Sequence, residues 1–333
     1  MTAITVQATK DRRIGVALYG DNGHQVHDRL VAHPRARLVA VAEFARNKLP
    51  AVLRDDTEVK AYADLDALLA DPRVELVVLC SPRRDEQAAQ AIRALRAGRH
   101  VYAEKPAALS EAELDQIVAV AAETGRVFRE MAGTAFEQPY HAMREVVRSG
   151  RLGRVVQVIA EKSYPWHEQR PRDEGVDGGL LLQVGVHAMR FVEHVAGVRV
   201  RSVRALETTA GNPGGDGGLR MAACVMIELE GGRLASITAN YLNPKGTGVW
   251  GYETLRILGE RGMIESTQGG VHTRLVIGGV DHGRLEIAAT DAGLDYFDAL
   301  LATLAGDGEM PLTLEEELRP TRWVLRAKAA VGK

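Results

Sequence analysis

The chain has 333 residues, of which 46% are hydrophobic and 26% are charged, and its net charge is -2. These values describe a globular protein with ample core, and the length suits two domains. The chain lacks the basic excess that is typical of nucleic-acid binders, so nucleic acid is not expected as a partner.

The cysteine content favours a reducing, cytoplasmic location. Cys80 and Cys224 each lie in an apolar run, which predicts two small core residues rather than a disulfide pair. Arg12 and Arg13 superficially resemble an export signal, but the apolar segment after them is short and leads into a glycine turn. We therefore expect neither a signal peptide nor a membrane span.

The N-terminal part alternates short β-rich runs with longer amphipathic segments, the pattern of a parallel sheet with helices on both faces. Strands are predicted at residues 14–19, 38–43, 74–80, 100–103 and 127–131. Helices are predicted near residues 24–33, 64–70, 86–97 and 111–124. Residues 1–132 are thus expected to form a Rossmann-type α/β domain with a doubly wound parallel sheet.

The first predicted strand runs into a turn that contains Gly20 and Gly23, ahead of a predicted helix whose N-terminus would face a pyrophosphate. The fingerprint lacks its first glycine, and Asp21 puts a negative charge where a diphosphate is expected, so an ordinary turn is the alternative. Glu43 ends the second strand, where a dinucleotide fold places the acid that binds the adenosine ribose. This acid favours NAD, whereas the nearby Arg46 argues for NADP.

The strand at 100–103 delivers Glu104, Lys105 and Pro106 to its carboxyl end. In open α/β sheets, ligands and catalytic groups lie at this edge. Desolvation there favours the neutral amine of a lysine, which can take part in proton transfer, so Lys105 is a catalytic candidate. The alternative is a solvated Glu-Lys charge pair before a turn.

After residue 132 the pattern changes to long β-rich runs, predicted at 155–164, 198–208, 219–230, 233–242, 254–267 and 284–290. Apolar residues that alternate from Met221 to Leu229 mark one face of a large, mostly antiparallel sheet. Helices are predicted at 139–149, 296–304 and 314–330. Residues 133–333 are expected to form an α+β domain.

Residues 177–197 contain a glycine pair followed by an apolar helix that carries Gln183, His187 and Arg190 on one face. Imidazole suits acid–base work near neutral pH, so His187 is the second catalytic candidate, with a structural histidine as the alternative. His194, further along this face, is expected to be structural. Arg190 either recognises an anionic substrate group or, the slightly favoured interpretation, points to solvent.

The loop at 163–171 precedes this helix and is expected to overhang the site, with Tyr164 and Trp166 as stacking surfaces. Ordinary packing between domains is an equally weighted interpretation of these aromatic side chains. The histidines and acids of this region lack a metal-ligand spacing, so no metal is predicted.

Two motifs resemble the glucose-fructose oxidoreductase, inositol dehydrogenase and MocA (Gfo/Idh/MocA) family. They are residues 80–110, which include the Glu-Lys-Pro triplet, and the G-G-x3-Q-x-G-x-H run at 178–187. The resemblance implies an NAD(P)-binding Rossmann domain and a second domain whose sheet mediates homodimer or homotetramer contacts. It also implies hydride transfer at a hydroxyl-bearing carbon of a sugar, polyol or related compound.

The resemblance implies a role for each matching residue. Lys105 would poise the reacting hydroxyl, and His187 would exchange its proton. Cofactor contacts are expected from Gly20, Gly23, Glu43, Ser81, Pro82, Glu104 and Pro106, and substrate contacts from Gln183, Arg190, Tyr164 and Trp166. Members usually carry Asp at position 183, often Asp at 190 and commonly His at 86, where this chain has Gln183, Arg190 and Glu86. Loss of the carboxylate at 183 is expected to lower the pKa of both Lys105 and His187.

Three functions remain open at this point. The leading hypothesis is an NAD(P)-dependent dehydrogenase that acts on a secondary alcohol. The second is a glycosidase or isomerase that oxidises its substrate transiently with bound NAD. The third is a non-catalytic protein that binds a cofactor or metabolite, and it is motivated by the incomplete glycine motif and by the residues at 183 and 190.

Overall fold

A computed structural model describes residues 12–213 and 218–331, so the ends of both predicted domains, 1–11 and 332–333, lie outside the described part. The first sheet contains β1 Ile14–Tyr19, β2 Ala36–Ala42, β3 Lys60–Tyr62, β4 Leu76–Leu79, β5 His100–Ala103 and β6 Phe128–Glu130. All its pairings are parallel, in the order β3-β2-β1-β4-β5-β6. The strand order reverses between β1 and β4, which opens a crevice at the carboxyl ends.

Four helices accompany this sheet: α1 Ala51–Arg54, α2 Leu65–Leu69, α3 Arg84–Arg96 and α4 Glu111–Thr124. α4 begins with a capping box between Ser110 and Glu113 and ends at Gly125, whose φ of 62° is the left-handed conformation that glycine adopts easily. The apolar strands of the sheet are buried between these helices, which confirms the predicted doubly wound α/β fold.

The helix predicted at 24–33 is wrong. The structure has only a 3-10 turn there, at His27–Leu30. Val26 and Leu30 are buried, so the apolar spacing that suggested a helix serves instead to pack this turn on the sheet. The expected helix N-terminus facing a pyrophosphate is therefore absent, and only backbone of the glycine turn is available at that place. The short edge strand β3 was also missed, because its three residues are largely exposed and carry no apolar run.

The second sheet contains eight strands: β7 Val155–Ser163, β8 Val200–Thr208, β9 Ala222–Leu229, β10 Arg233–Asn240, β11 Tyr252–Gly259, β12 Gly262–Thr267, β13 His272–Ile277 and β14 Val280–Gly283. Their order is β14-β13-β12-β11-β7-β10-β9-β8, and β7 with β10 is the parallel pair in an otherwise antiparallel sheet. This sheet confirms the predicted mostly antiparallel architecture.

Two predictions within this sheet are wrong in detail. The run at 254–267 is a hairpin of two strands rather than one strand, because Gly259 and Gly262 flank a turn between β11 and β12. Residues 284–290 form no strand: their alternating apolar residues have no partner strand in the described structure, which instead places β13 and β14 just before them. Cys224 is exposed on β9 and is not the core residue that its apolar run suggested.

The remaining helices are α5 Tyr140–Arg148, α6 Glu174–Asp177, α7 Val186–Arg190, α8 Tyr296–Ala305 and α9 Leu314–Ala330. The last two return to the first sheet. Phe297 of α8 stacks on Tyr102 of β5, with ring centroids 5.5 Å apart. The carboxylate of Glu317 in α9 accepts a hydrogen bond of 2.6 Å from the backbone N–H of Glu130 in β6. The two sheets are thus held together at the edge where β5 and β6 end.

Candidate active site

Lys105 directly follows β5 and is only 1% exposed, so the predicted alternative of a solvated charge pair is wrong. Its Nζ donates hydrogen bonds of 2.8 Å to both Oε1 and the backbone carbonyl of Gln183. Nζ also lies 3.5 Å from Oε1 of Glu104. Burial lowers the pKa of Lys105 to about 8, although the Glu104 carboxylate opposes the shift. The amine can therefore change its charge near neutral pH.

His187 lies on α7, between two π-helical turns at Leu181–Gly185 and Phe191–Val195. Such turns occur frequently at functional sites. The imidazole is 3% exposed, with Nδ1 at 3.3 Å from Oγ1 of Thr134 and Nε2 at 3.4 Å from the hydroxyl of Tyr164. Burial, and after it the charge of Lys105, lower the pKa of His187 well below its ordinary value. The shift favours the neutral ring, which has an unprotonated nitrogen.

The glycine turn after β1 is fixed by hydrogen bonds to the carboxylate of Glu104. Gly20 has a φ of 72°, and a Cβ there would stand 2.1 Å from the carbonyl oxygen of Cys80, so only glycine fits. The Glu104 carboxylate accepts a 3.1 Å hydrogen bond from the backbone N–H of His24, and both its oxygens lie 3.0 Å from Nδ1 of that ring. Burial alone would raise the pKa of Glu104, but His24 and Lys105 outweigh it and lower the value to about 2.

The carboxyl end of β2 presents Glu43, which is exposed and has a φ of 48°. The guanidinium of Arg46 is hydrogen-bonded within its own loop. Nε, Nη1 and Nη2 donate, in that order, to the backbone carbonyls of Arg54, Val59 and Asp56. These three bonds commit Arg46 to its own loop, which removes the argument for NADP that its position in the sequence suggested. Asp21, the unexpected charge near the glycine turn, is paired with Lys48 at 2.6 Å.

Three of the expected cofactor contacts have buried side chains in the structure. Ser81 is 0% exposed and its hydroxyl is bonded to the backbone of Arg83, so it shapes a turn. Glu104 is also 0% exposed and holds the glycine turn. Pro106 is buried, and its carbonyl, like that of Glu104, accepts a hydrogen bond from Gln87. Pro82, which follows Ser81, is exposed, as are Gly23 and Glu43.

Arg190 does not point to solvent, and that expectation was wrong. Its side chain is 0% exposed; Nη2 donates to Glu130 Oε2 at 2.6 Å and Nη1 to the backbone carbonyl of Met131 at 2.7 Å. Both terminal nitrogens are thus bonded to residues at the end of β6. Arg190 therefore has a structural role and cannot bind a substrate anion through these two nitrogens. His194 is buried with Nε2 at 2.9 Å from the carbonyl of Glu316, which agrees with its predicted structural role.

The two aromatic residues of the 163–171 loop are separated. Tyr164 reaches His187, as described above, whereas Trp166 lines a distinct groove of about 360 Å³ together with His167, Asn243 and Trp250. The structure therefore brings Tyr164, but not Trp166, to the candidate active site.

A cavity of about 450 Å³ opens beside His187 and contains residues that the sequence reasoning missed. His24, Arg29, Thr134 and Glu137 line it with His187. Thr134 follows β6 as Lys105 follows β5, so its place at a strand's carboxyl end was a usable signal. His24 stands directly after Gly23, but its contact with Glu104, which is 80 residues away, cannot be seen in the sequence. Among the described residues, no group of side chains is arranged to hold a metal ion.

The carboxyl edge of the first sheet fits a dinucleotide. The turn at Gly20 presents backbone without a side chain at the end of β1, beside the reversal point between β1 and β4. Glu43 is open at the end of the neighbouring strand β2. Lys105 and His187 lie along the same edge, at the interface with the second sheet. Fold and site together define an oxidoreductase of the dinucleotide-binding type.

Comparison with known proteins gives the particular family. A family described as "Oxidoreductase family, NAD-binding Rossmann fold" matches residues 12–131, and the "GFO/IDH/MocA C-terminal domain" matches residues 140–265. The chain belongs to the Gfo/Idh/MocA family and is an NAD(P)-dependent oxidoreductase, which confirms the resemblance seen in its motifs.

Individual relatives are distant. A trans-1,2-dihydrobenzene-1,2-diol dehydrogenase of Bos taurus is 31% identical over 171 residues, which span 51% of this chain and 50% of that one. A myo-inositol 2-dehydrogenase of Thermotoga maritima is 24% identical over 257 residues, 76% of this chain and 74% of that one. The solved structure of an oxidoreductase domain protein from Kribbella flavida shares the fold, with a TM-score of 0.80, 20% identity, and coverage of 96% of this chain and 97% of that one. Within the described residues, no helix combines the length and apolar character needed to cross a membrane.

Proposed function

We propose that this protein transfers a hydride between NAD(P) and the carbon of a secondary alcohol in a sugar, polyol or cyclitol-like substrate. The observation that carries the proposal is the buried Lys105 amine, held at the end of β5 by Gln183 and lying beside a neutral His187. The names of two relatives support the substrate class, because a dihydrobenzene diol and myo-inositol both present neighbouring hydroxyls on a six-membered carbon ring.

Each catalytic side chain has a distinct task in this proposal. The dinucleotide, when bound, supplies the hydride acceptor or donor. Lys105 orients the substrate hydroxyl through its Nζ, whose position is fixed by the two oxygens of Gln183. His187 takes the hydroxyl proton on an unprotonated ring nitrogen, while the hydroxyls of Thr134 and Tyr164 fix the orientation of the ring.

The cofactor would lie along the edge from Gly20 and Gly23 to Glu43. NAD is favoured over NADP, because the exposed Glu43 repels a 2'-phosphate and Arg46 is committed elsewhere. Residues 1–132 would form the cofactor domain and residues 133–333 the substrate and oligomerisation domain. The two cysteines are free, which fits a cytoplasmic location.

The outer face of the second sheet supports a homodimer or homotetramer. Large apolar side chains stand exposed on neighbouring strands, among them Leu206 at 74%, Met226 at 63% and Leu234 at 52%. Contiguous exposed apolar patches mark interaction surfaces. If this face is the subunit contact, Met226→Glu should shift the protein to monomers in sedimentation, whereas the same change at Val52, an exposed apolar residue of α1, should not.

The direct test is reduction of NAD by a panel of polyols, inositols and aldoses, followed by Lys105→Met. This variant keeps the length of the side chain but removes the amine, so turnover should be lost while NADH binding, followed by fluorescence, is retained. Lys60→Met, on the exposed edge strand β3, is the matched control. Normal turnover in Lys105→Met would refute the assignment. Deuterium exchange at a substrate carbon without NADH release would instead indicate transient oxidation, and failure to bind NADH or NADPH would exclude both enzyme hypotheses.

A further inference from the structure

His24 is an ionisable side chain at the candidate active site to which the proposed chemistry gives no task. Its side chain is 55% exposed, while its partner Glu104 is 0% exposed. The ring lines the same 450 Å³ cavity as His187, and the two imidazole centroids are 5.9 Å apart. His24 therefore stands between a buried base and solvent.

We propose that His24 and Glu104 form a carboxylate–imidazole dyad that carries the substrate proton between His187 and solvent. The inference rests on the proposed function, since it concerns the proton that alcohol oxidation releases. It assigns His24 a task that neither the family motifs nor the sequence pattern indicated.

The geometry fixes one ring nitrogen and leaves the other free. Both carboxylate oxygens of Glu104 lie 3.0 Å from Nδ1 of His24. The backbone N–H of His24 also donates a hydrogen bond of 3.1 Å to Oε2 of Glu104. Two contacts to one carboxylate hold the ring in a single orientation, with Nε2 directed away from Glu104. A carboxylate bound to one imidazole nitrogen fixes the tautomer and leaves the other nitrogen as the acid–base atom.

A relay is needed because His187 has little access to water. It is 3% exposed, and its two nitrogens face the hydroxyls of Thr134 and Tyr164. When an alcohol becomes a ketone, the hydroxyl proton would move to His187 as the O–H bond breaks, and the dinucleotide, when bound, would supply the acceptor for the hydride. The proton then passes to Nε2 of His24, directly or through a water in the cavity, and from there to solvent, so that one proton is released for each substrate oxidised.

Charged groups from several elements surround His24. The Glu104 carboxylate contacts the ring, whereas Lys105, Arg84 and Arg29 supply positive charge from β5, α3 and the turn after β1. Arg84 is already bonded to the backbone carbonyls of Ser81 and Asn22 and to Gln87. The cavity also contains the carboxylates of Glu137 and Asp295, and Asp295 pairs with Arg29, so His24 lies among charged groups of both signs.

The decisive variant is His24→Gln, which keeps a polar side chain of similar size but cannot carry a proton. We expect kcat to fall about 10- to 100-fold, at or below the lower end of general acid–base effects, because water partly replaces a relay. Added imidazole should restore much of the loss, and the affinity for NADH should stay within about twofold. His27→Gln is the matched control, because His27 lies on the same turn, packs on Phe44 and does not line the cavity.

Three results with His24→Gln would overturn the inference. They are a kcat equal to that of the wild type, a fall in kcat that imidazole does not rescue, and a loss of NADH affinity with kcat unchanged. The last result would make His24 a cofactor contact. A second measurement does not depend on turnover. The ¹⁵N spectrum of the His24 ring should show Nδ1 protonated and Nε2 unprotonated, and Glu104→Gln should change this pattern. The opposite tautomer in the wild type would refute the dyad. If the protein oxidises no alcohol at all, the proposed function fails, but the ¹⁵N spectrum still tests whether His24 and Glu104 form the dyad.

Discussion

Neutralising Glu130 should destabilise the protein severely, because it leaves the buried guanidinium of Arg190 without a counter-charge. The side chains of Glu130 and Arg190 are both 0% exposed, and their charged atoms are 2.6 Å apart. In Glu130→Gln, the Arg190 guanidinium would keep the carbonyl of Met131 as a partner but lose its counter-charge. Removing one partner of a buried ion pair costs about 3–5 kcal/mol of unfolding free energy.

The expected change is large enough to measure by two independent methods. Urea unfolding should give the loss of about 3–5 kcal/mol directly. For a chain of 333 residues this corresponds to a fall in Tm of about 4–7 °C. Glu145→Gln is the matched control, because it makes the same chemical change in an exposed pair: Glu145 and Arg148 have side chains that are 53% and 63% exposed, so its loss should cost less than about 1 kcal/mol.

The double variant Glu130→Gln, Arg190→Met separates the ion pair from general damage to the core. Removing both charges leaves no unpaired ion, so the double variant should be more stable than Glu130→Gln alone. A loss below about 1 kcal/mol in Glu130→Gln, or strictly additive losses in the double variant, would refute the reasoning.

Three further predictions concern catalysis, stability and cofactor choice. Burial lowers the pKa of Lys105 to about 8, and only its neutral amine can accept a hydrogen bond from the substrate hydroxyl that it orients, so kcat/KM for oxidation should rise as pH approaches about 8 and level off above it. A flat profile from about pH 6 to 9 would contradict this. Hydrogen bonds from Arg73 lower the pKa of Asp71 to about 2, so this stabilisation is complete above about pH 4 and lost as pH falls through about 2. Asp71→Asn should therefore cost about 1–2 kcal/mol at pH 7, and the difference from wild type in urea unfolding should shrink in acid. Glu43→Ser should raise the NADP-to-NAD ratio of kcat/KM by about tenfold, measured with one substrate, and an unchanged ratio would show that Glu43 does not face the ribose.

The sequence predicted the elements whose signals are local. β1, β5 and α4 lie where their apolar runs, caps and glycine stops indicated, because burial and capping act within a few residues. The helix at 24–33 failed because its apolar spacing is satisfied by packing of a short turn on the sheet. The hairpin at β11–β12 and the strands β13 and β14 were misjudged, since strand pairing depends on partners elsewhere in the chain.

The residues of the candidate site also divide into those with a local sequence signal and those placed by contacts distant in the sequence. Lys105 and His187 were found because a strand end and a helical spacing locate them before any contact is known. Arg190 was misplaced because its partner Glu130 is 60 residues away, and nothing near position 190 reveals a buried anion. Solvation of a charge is decided by tertiary packing, so sequence reasoning defaulted to the commoner exposed arginine.

Gln183 stands where the resemblance led us to expect an Asp, and it still contacts Lys105. The amide and backbone oxygens of Gln183 hold Nζ of Lys105 at 2.8 Å, so the geometry of the amine does not need a second acid. Negative charge comes instead from Glu104 at 3.5 Å, which is shared with His24. A shared and more distant carboxylate stabilises the ammonium less than a dedicated one, so burial prevails and the pKa falls to about 8. The neutral amide at position 183 thus holds Lys105 in place without adding a negative charge, and Glu104 is the carboxylate that Lys105 and His24 share.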